Sequence, residues 1–453
     1  MPKGNLIADI VVLGAGPAGC FAAMGAKEKD PGARVVIIEK HAKPRYRIGE
    51  ALLTGTIMTL DEIGIADEMA AMGFHRKIGA AYIWGKSRDP WYVNYPDAVE
   101  HYPASFTGES GRYSIHVPRD IFDRKLRDIA RNRGVEIIIG HPETICKSAD
   151  GSKVISATLS TGCRVMGKYW IDATGQNAVL ASKVTQRNPV GAKRVATFAY
   201  LDNLDWNRAH DNGLHINRTN IISSKMGWIW AIHLGEAGWN LTSLGFVTSP
   251  ADAKHLRFDN IHEYFPELAL FGIQDGLKNP KTPLGEPTDK WQYHPEYSHA
   301  CEQLHGDNWA AVGDAALFLD PILSQGVTLA CHYGLLRGRA AVAHLAGDTE
   351  AQSIVTGFYR REAAVLHQVV SEWYDNNRSV SDWKLSSVVA GVDHFGREMD
   401  ADEAFRWVTN IENVRSEYGP YPAVEQNKIN QRLGVSDNRI QHRNRSTNGR
   451  AGE

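Results

Sequence analysis

The chain opens on an apolar run, Ile10 to Leu13, followed by a glycine-rich turn and a segment of helical composition, Ala18–Lys29. An uninterrupted run of this kind suits a parallel strand buried on both faces. Asp30, Pro31 and Gly32 end the helical segment, and Val35–Ile38 form a second apolar run. Strand, turn, helix and strand make one βαβ unit. A similar pattern returns at IFDRKLRDIARNRG, which predicts a helix from about Arg119, followed by strands at VEIIIG and YWIDATG. Between about 190 and 295 the pattern changes to short aromatic-rich runs broken by Gly and Asn, such as ATFAYLDNL, GWIWAIHL and WNLTSLGFV. These predict an antiparallel sheet. Trp309–Gly313 reads as another buried strand and Gly326–Leu345 as a helix. The last hundred residues read as helical, with Trp373, Trp383 and Trp407, and end in a polar tail expected to be disordered.

Composition narrows the picture. A length of 453 residues exceeds one ordinary core and predicts two or three interlocked domains. A net charge of -2 carries no global basic field for nucleic acid or anionic membrane. The five cysteines are scattered without a CxxC pair, and no HExxH occurs, so neither a disulfide framework nor a metal site is expected. Reduced thiols point to the cytoplasm. Asp9 interrupts the N-terminal apolar run, which reads as a strand and not a signal peptide, and no stretch is long enough to span a membrane.

Gly14-Ala15-Gly16-Pro17-Ala18-Gly19 fits GxGxxG between the first strand and its helix, and Glu39 ends the second strand 20 residues beyond Gly19. Glycines there allow a tight turn and close backbone approach to a pyrophosphate at the helix N-terminus, with the acidic residue on a ribose hydroxyl. This is a dinucleotide-binding pattern. By itself it leaves FAD and NAD both open.

Four further segments resemble the FAD-dependent monooxygenase and halogenase superfamily, whose fold is like that of para-hydroxybenzoate hydroxylase. They are Arg47-Ile48-Gly49-Glu50-Ala51, the helix opening Val117-Pro118-Arg119-Asp120, the strand end Asp172-Ala173-Thr174-Gly175, and Gly313-Asp314 with its continuation to Asp320-Pro321. The resemblance implies FAD as cofactor, held by Gly14, Gly16, Ala18, Gly19, Glu39, Lys40, Arg47, Glu50, Arg119 and Asp314. It assigns Arg119 to the phosphate or ribose region and Asp314 to the ribityl and pyrophosphate.

Within that superfamily, Gly227-Trp228-Ile229-Trp230-Ala231-Ile232-His233 is similar to the WxWxIP motif of halogenases, with His233 in place of proline. The resemblance places Trp228 and Trp230 beside the flavin. Phe74-His75-Arg76-Lys77-Ile78-Gly79-Ala80 resembles the phenol- and pyrrole-type halogenases, which makes Lys77 the catalytic lysine. In that chemistry halide is oxidised at the flavin and hypohalous acid travels through a tunnel to the lysine. Ser324, Gln325 and Gly326 occupy the place of the halide site, with Gln325 departing from the family's Ser or Thr. Leu323 stands where tryptophan halogenases carry a glutamate.

The expected fold is therefore α/β: a Rossmann-like FAD-binding domain interlocked with an antiparallel β-sheet substrate domain, plus a C-terminal helical region. The expected division is 1–70, 110–190 and 300–345 for the first, 71–109 and 191–299 for the second, 346–435 for the helices and 436–453 for the tail. The expected activity is halogenation of an electron-rich aromatic, small or protein-borne, using halide, oxygen and FAD reduced by a separate NAD(P)H-dependent flavin reductase. Two alternatives stand beside it. One is a FAD monooxygenase that hydroxylates an aromatic ring, including a protein tryptophan in quinone-cofactor maturation. The other is a non-catalytic flavin-binding or partner-binding protein.

Overall fold

The computed structural model describes residues 4–95, 102–109, 111–235, 241–295, 298–375, 378–395 and 400–410. The expected tail, 436–453, and the expected helical region beyond 410 lie outside the described residues.

Among these residues, seven strands form the first sheet. Its centre is Asn5–Leu13, paired in parallel with Val35–Glu39 on one side and Arg164–Asp172 on the other. Ile10 to Leu13 are wholly buried, as a strand covered on both faces requires. Glu136–Ile139 extends the parallel part beyond Val35–Glu39, and Trp309–Ala311 pairs in parallel with the end of Arg164–Asp172. Two antiparallel strands not foreseen from the pattern, Pro142–Lys147 and Val154–Leu159, complete the edge.

The glycine-turn helix Pro17–Lys29 packs on Gly326–Leu345. Small residues permit very close contact there: a Cβ on Gly338 would lie 1.9 Å from the Ala22 carbonyl oxygen, and one on Gly334 2.5 Å from that of Ala18. This contact seats the start of the second helix beside the glycine turn.

The second sheet runs in the order Gln292–Pro295, Val195–Leu201, Thr242–Thr248, Gly227–His233, Thr219–Ser224, Gly79–Ile83 and Trp91–Asn94. It is antiparallel as expected, except that Thr219–Ser224 and Gly79–Ile83 run parallel. Strand alternation divides its residues. Trp228, Trp230, Ile232, Ala80, Tyr82 and Ile221 face the main core, while Ile229, Ala231, Ile222, Ala81 and Ile83 face a separate cluster with Phe265, Leu268 and Phe271. Helices Ala351–Trp373, Val380–Phe395 and Ala401–Asn410 follow. They are pinned by an aromatic stack in which Trp373 lies 5.2 Å from Trp383 and 5.8 Å from Phe405. The α/β expectation with its antiparallel second sheet and C-terminal helices is borne out.

Candidate active site

A long cleft opens between the two sheets at the C-terminal end of the parallel strands, where ligands of open α/β sheets bind. The glycine turn forms one wall. Gly14 has φ +96°, and its Cβ would lie 2.4 Å from the Ala173 oxygen, so the turn and the DATG strand end touch backbone to backbone. Gly16 has no neighbour within 4 Å of its Cβ position, which leaves its backbone open to the cleft. Gly19 does not line the cleft. A Cβ there would lie 1.9 Å from the Gly14 oxygen, so this glycine closes the helix onto the turn.

Glu39 ties the turn to the second strand by accepting hydrogen bonds from the Ala15 N–H (2.7 Å) and the His41 N–H (2.9 Å). Buried Arg127, which the sequence reading missed, lies 3.3 Å from Glu39 and donates to the Ala15 and His41 carbonyls. Its signal was helical spacing: Arg127 follows Asp123 and Arg119 at steps of four. Arg119 lines the cleft, but much of its fork is engaged within the chain. Its Nε and Nη2 meet Asp123, and Nη1 donates to the Ile48 carbonyl at 2.9 Å, bracing the 47–51 turn. Asp172 is likewise consumed internally, accepting from the Thr174, Leu180 and Ala181 N–H groups. Lys40 and Arg47 line the cleft mouth.

Asp314 differs from these carboxylates. It lines the cleft, and among the described residues no hydrogen bond reaches its side chain. Burial raises its pKa to about 6, opposed by Arg119 and Arg47. An unengaged acceptor, open glycine backbone and cationic rim fit a flavin dinucleotide with its sugar hydroxyls and pyrophosphate.

Glu50, 1% exposed, accepts from the hydroxyls of Tyr46 and Tyr200. Burial raises its pKa to about 7, against the bonds from Tyr46, Tyr200 and Ser243. The Ser243 hydroxyl in turn accepts from the Trp230 indole at 3.0 Å. Trp230 and Trp228 share one strand face and line the cleft together. Gly245, opposite Trp230, makes room for it, since a Cβ there would be 2.1 Å from the indole.

Lys77 does not lie in the cleft. It is 1% exposed in a separate small cavity with Leu53, Ala80, Tyr82, Tyr95, Leu323, Ser324 and Thr409. No hydrogen bond or ion pair engages its amine among the described residues, and the nearest aromatic face is Tyr95, 5.8 Å away. Burial lowers its pKa to about 7. The basic neighbour Arg76 turns outward over Tyr113. Ser324 lines both spaces, so it forms the partition between the cleft and the Lys77 cavity. Ser324 adopts φ +60°, which turns the chain into the helix beginning at Gly326. Gly326 borders the cleft. Gln325 does not border either space: its side chain is buried and donates to the Asp320 carbonyl at 3.0 Å. The Lys77 cavity holds about 10 Å³, near the lower limit for one water molecule, so an aromatic ring would have to displace part of its wall.

His233 also lies outside both spaces. It packs against His75 at 4.9 Å, and its carbonyl accepts from the His116 Nδ1 at 2.9 Å. Among the described residues no group of His, Cys, Asp and Glu could hold a metal ion, and no helix is long and apolar enough to cross a membrane.

The family model for tryptophan halogenase matches residues 9–108 and 99–379. The tryptophan 2-halogenase of Chondromyces crocatus is 30% identical over 78% of this chain and 64% of its own length, so the chain spans just under two thirds of that relative. The 1H-pyrrole-2-carbonyl-(peptidyl-carrier protein) brominase of Pseudoalteromonas luteoviolacea is 29% identical over 72% of this chain and 75% of its own. Among solved structures, the myxobacterial chondrochloren halogenase superposes with a TM-score of 0.71 at 23% identity, covering 92% of this chain and 99% of that one. A flavin-dependent brominase gives 0.70 at 24%, covering 94% and 98%. At such identities these two establish likeness of fold.

Proposed function

The chain belongs to the tryptophan halogenase family of FAD-dependent enzymes, and from that premise we propose that it halogenates an electron-rich aromatic ring, free or carried on a protein, at Lys77. The carrying observation is that a buried lysine amine, with no hydrogen bond or ion pair among the described residues, shares Ser324 as a wall with the cleft.

In this reading residues 1–70, 110–190 and 300–345 form the FAD domain, 71–109 and 191–299 the substrate domain, and the described part of 346–435, up to residue 410, the helical region. Gly14, Gly16, Ala18 and Gly19 shape the pyrophosphate site. Glu39 and Lys40 meet the adenosine side, while Arg47, Glu50, Arg119 and Asp314 surround the rest of the cofactor. Reduced FAD bound there supplies, with oxygen, the two-electron oxidation that makes halide electrophilic.

The remaining steps belong to the chain's own residues. The halide is received at the turn Ser324 to Gly326 by the N–H groups that open the helix at Gly326 and Val327, as helix starts favour anions; the Ser324 N–H is held by the Pro321 carbonyl at 2.9 Å. Trp228 and Trp230 wall off the flavin side from water and from the arene. Lys77, whose burial brings its pKa to about 7, takes the halogen of hypohalous acid on its neutral amine with loss of water, or holds that acid by a hydrogen bond; the halogen then passes to a ring carbon, which loses its proton. A separate NAD(P)H-dependent reductase supplies reduced FAD. The five cysteines are free, four of them buried, which suits the cytoplasm.

The test is product mass spectrometry with added flavin reductase, FAD, oxygen and chloride or bromide, across phenol, pyrrole and indole probes. Wild type should yield a product carrying halogen. Lys77→Ala should lower that product by roughly a hundredfold or more, while oxygen uptake and FAD binding persist. A product that gains oxygen and no halogen would overturn this reading in favour of a monooxygenase.

A further inference from the structure

Tyr374 stands at the end of helix Ala351–Trp373, far in sequence from every motif above. Its hydroxyl is nevertheless held between two of them. It accepts from the Trp228 indole N–H at 2.9 Å and donates to Asp320 Oδ2 at 2.7 Å. Arg194 lies over the Tyr374 ring at 3.7 Å and within 3.6 Å of the same Asp320 oxygen. Asp320 therefore receives a hydroxyl and a guanidinium on one oxygen. With its other oxygen it accepts from the Ile322 N–H at 3.2 Å, and its backbone carbonyl accepts from the Gln325 side chain at 3.0 Å. Those bonds define the short turn Pro321–Leu323 that brings Ser324 to the partition between the two spaces.

We propose that Tyr374 is a positioning residue for the anion turn: clamped between Trp228 and Asp320, it fixes the conformation of residues 320–326 and with it the affinity for halide. The inference rests on the assignment of that turn as the halide site. Its physical basis is that Asp320 is the hub. One bond from the hub goes to the C-terminal helices, two go to the turn, and Trp228 carries the chain of bonds to the flavin-side strand. Loss of the hydroxyl leaves the Trp228 N–H and one Asp320 oxygen without their shared partner. The indole N–H then turns to water, the Asp320 oxygen turns to water or to the turn's own N–H groups, and the turn loses its single arrangement. Gln325, which stands where the family has a small hydroxyl residue, is tied into the same turn, although its own Oε1 is buried with no hydrogen-bond partner among the described residues. Its amide acts as a strut from 325 back to 320, and does not contact the cleft.

The experiment uses full-length protein loaded with FAD, with bromide as the probe halide. Bromide affinity is measured twice: by calorimetric titration with oxidised FAD, and from the bromide dependence of monochlorodimedone bromination, which traps oxidised bromine without requiring the native arene. Tyr374→Phe should weaken bromide binding and raise its KM by roughly tenfold, the scale of a hydrogen bond to a charged group. At saturating bromide kcat should match wild type, and so should the thermal midpoint and FAD affinity. Should Tyr374→Phe fail to fold, Asp320→Asn weakens the same clamp from the acceptor side of the hydroxyl and should raise the bromide KM in the same direction. A bromide KM that stays at the wild-type value in the variant that folds overturns the clamp alone. A fall in kcat and thermal midpoint with bromide KM unchanged overturns it too, since that is the mark of a merely structural tyrosine. A wild-type protein that neither binds bromide saturably nor depends on it overturns the halide assignment together with the clamp.

Discussion

The role proposed for Lys77 rests on where the fold places one side chain. In the sequence it sits in His75-Arg76-Lys77, which reads equally well as a solvated basic cluster; only the flanking Gly-Ala and aromatic strand singled it out. Strand alternation decides the matter, because Arg76 faces outward and Lys77 inward. Burial then lowers its pKa from 10.5 to about 7. If the neutral amine is the working form, its population falls tenfold per pH unit below about 7 and is constant above it. Halogenated product per enzyme should therefore rise with pH through about 7 and level off. Glu50 also titrates near 7, but it lines the cofactor cleft, so its ionisation registers in flavin reoxidation. The check is single turnover with pre-reduced FAD, following flavin absorbance and product together between about pH 5.5 and 9. A limb present in product but absent from flavin reoxidation belongs to Lys77; a flat product profile contradicts the neutral-amine role. What could not be read from the residues alone was how much of a side chain is already engaged. Arg119 was expected at the phosphate, yet Asp123 and the Ile48 carbonyl hold most of its donors. Glu39 was expected at a ribose and also fastens the glycine turn.

The elements that were legible are those whose pattern is local. Apolar runs marked the parallel strands, and aromatic alternation marked Val195–Leu201, Gly227–His233 and Thr242–Thr248. Pairings between distant strands were not legible. The parallel register of Gly79–Ile83 with Thr219–Ser224 joins segments about 140 residues apart, and it is this pairing that puts Ile221 beside Tyr82 under Lys77. Helix Ala351–Trp373 is legible as a helix, but no motif marks its buried Glu362. Glu362 is 2% exposed, accepts from the Tyr333 hydroxyl on one oxygen and has no partner on the other. Burial raises its pKa from 4.5 to about 7. A folded-state pKa above the unfolded one means that the fold favours the protonated acid. That contribution is complete below about 4.5 and is lost as pH rises through about 7. Glu362→Gln should remove this dependence and leave the variant more stable than wild type at pH 8, by up to about 3 kcal/mol. Urea unfolding at pH 5 and pH 8 checks it. A wild-type loss of stability across that range that persists unchanged in Glu362→Gln would assign the dependence to other groups.

At the scale of the whole molecule, the site is assembled from parts that no local window contains together. The glycine turn comes from the start of the chain, Lys77 from the short strand His75–Lys77 that pairs with Ser114–His116, Trp228 from the second sheet, Ser324 from the turn before Gly326–Leu345, and Thr409 from helix Ala401–Asn410. The motifs located the first four, whereas Thr409 and Tyr374 come from a region whose sequence reads only as helical, with Trp373, Trp383 and Trp407. The sequence carries one GxGxxG turn, and its strand, helix and acidic partner form a single dinucleotide cleft lined by Gly14, Gly16 and Glu39. With FAD in that cleft, a nicotinamide has no second fingerprint to hold it against the flavin. Hydride transfer to a bound flavin gains most of its speed from such fixed approach. NADPH alone should therefore bleach the FAD of this protein at least about a hundredfold more slowly than NADPH with an added flavin reductase. Stopped-flow absorbance under anaerobic conditions measures both rates on the same preparation. Comparable rates with and without reductase would mean that the chain itself docks the nicotinamide, and the place to look would be the cationic cleft mouth at Lys40, Arg45 and Arg47. The expected gap in rate would instead make delivery of reduced FAD from another protein the entry point of the reaction. The open backbone at Gly16 and the unengaged Asp314 carboxylate suit that entry, since a cofactor arriving from outside meets groups that need no rearrangement to receive it.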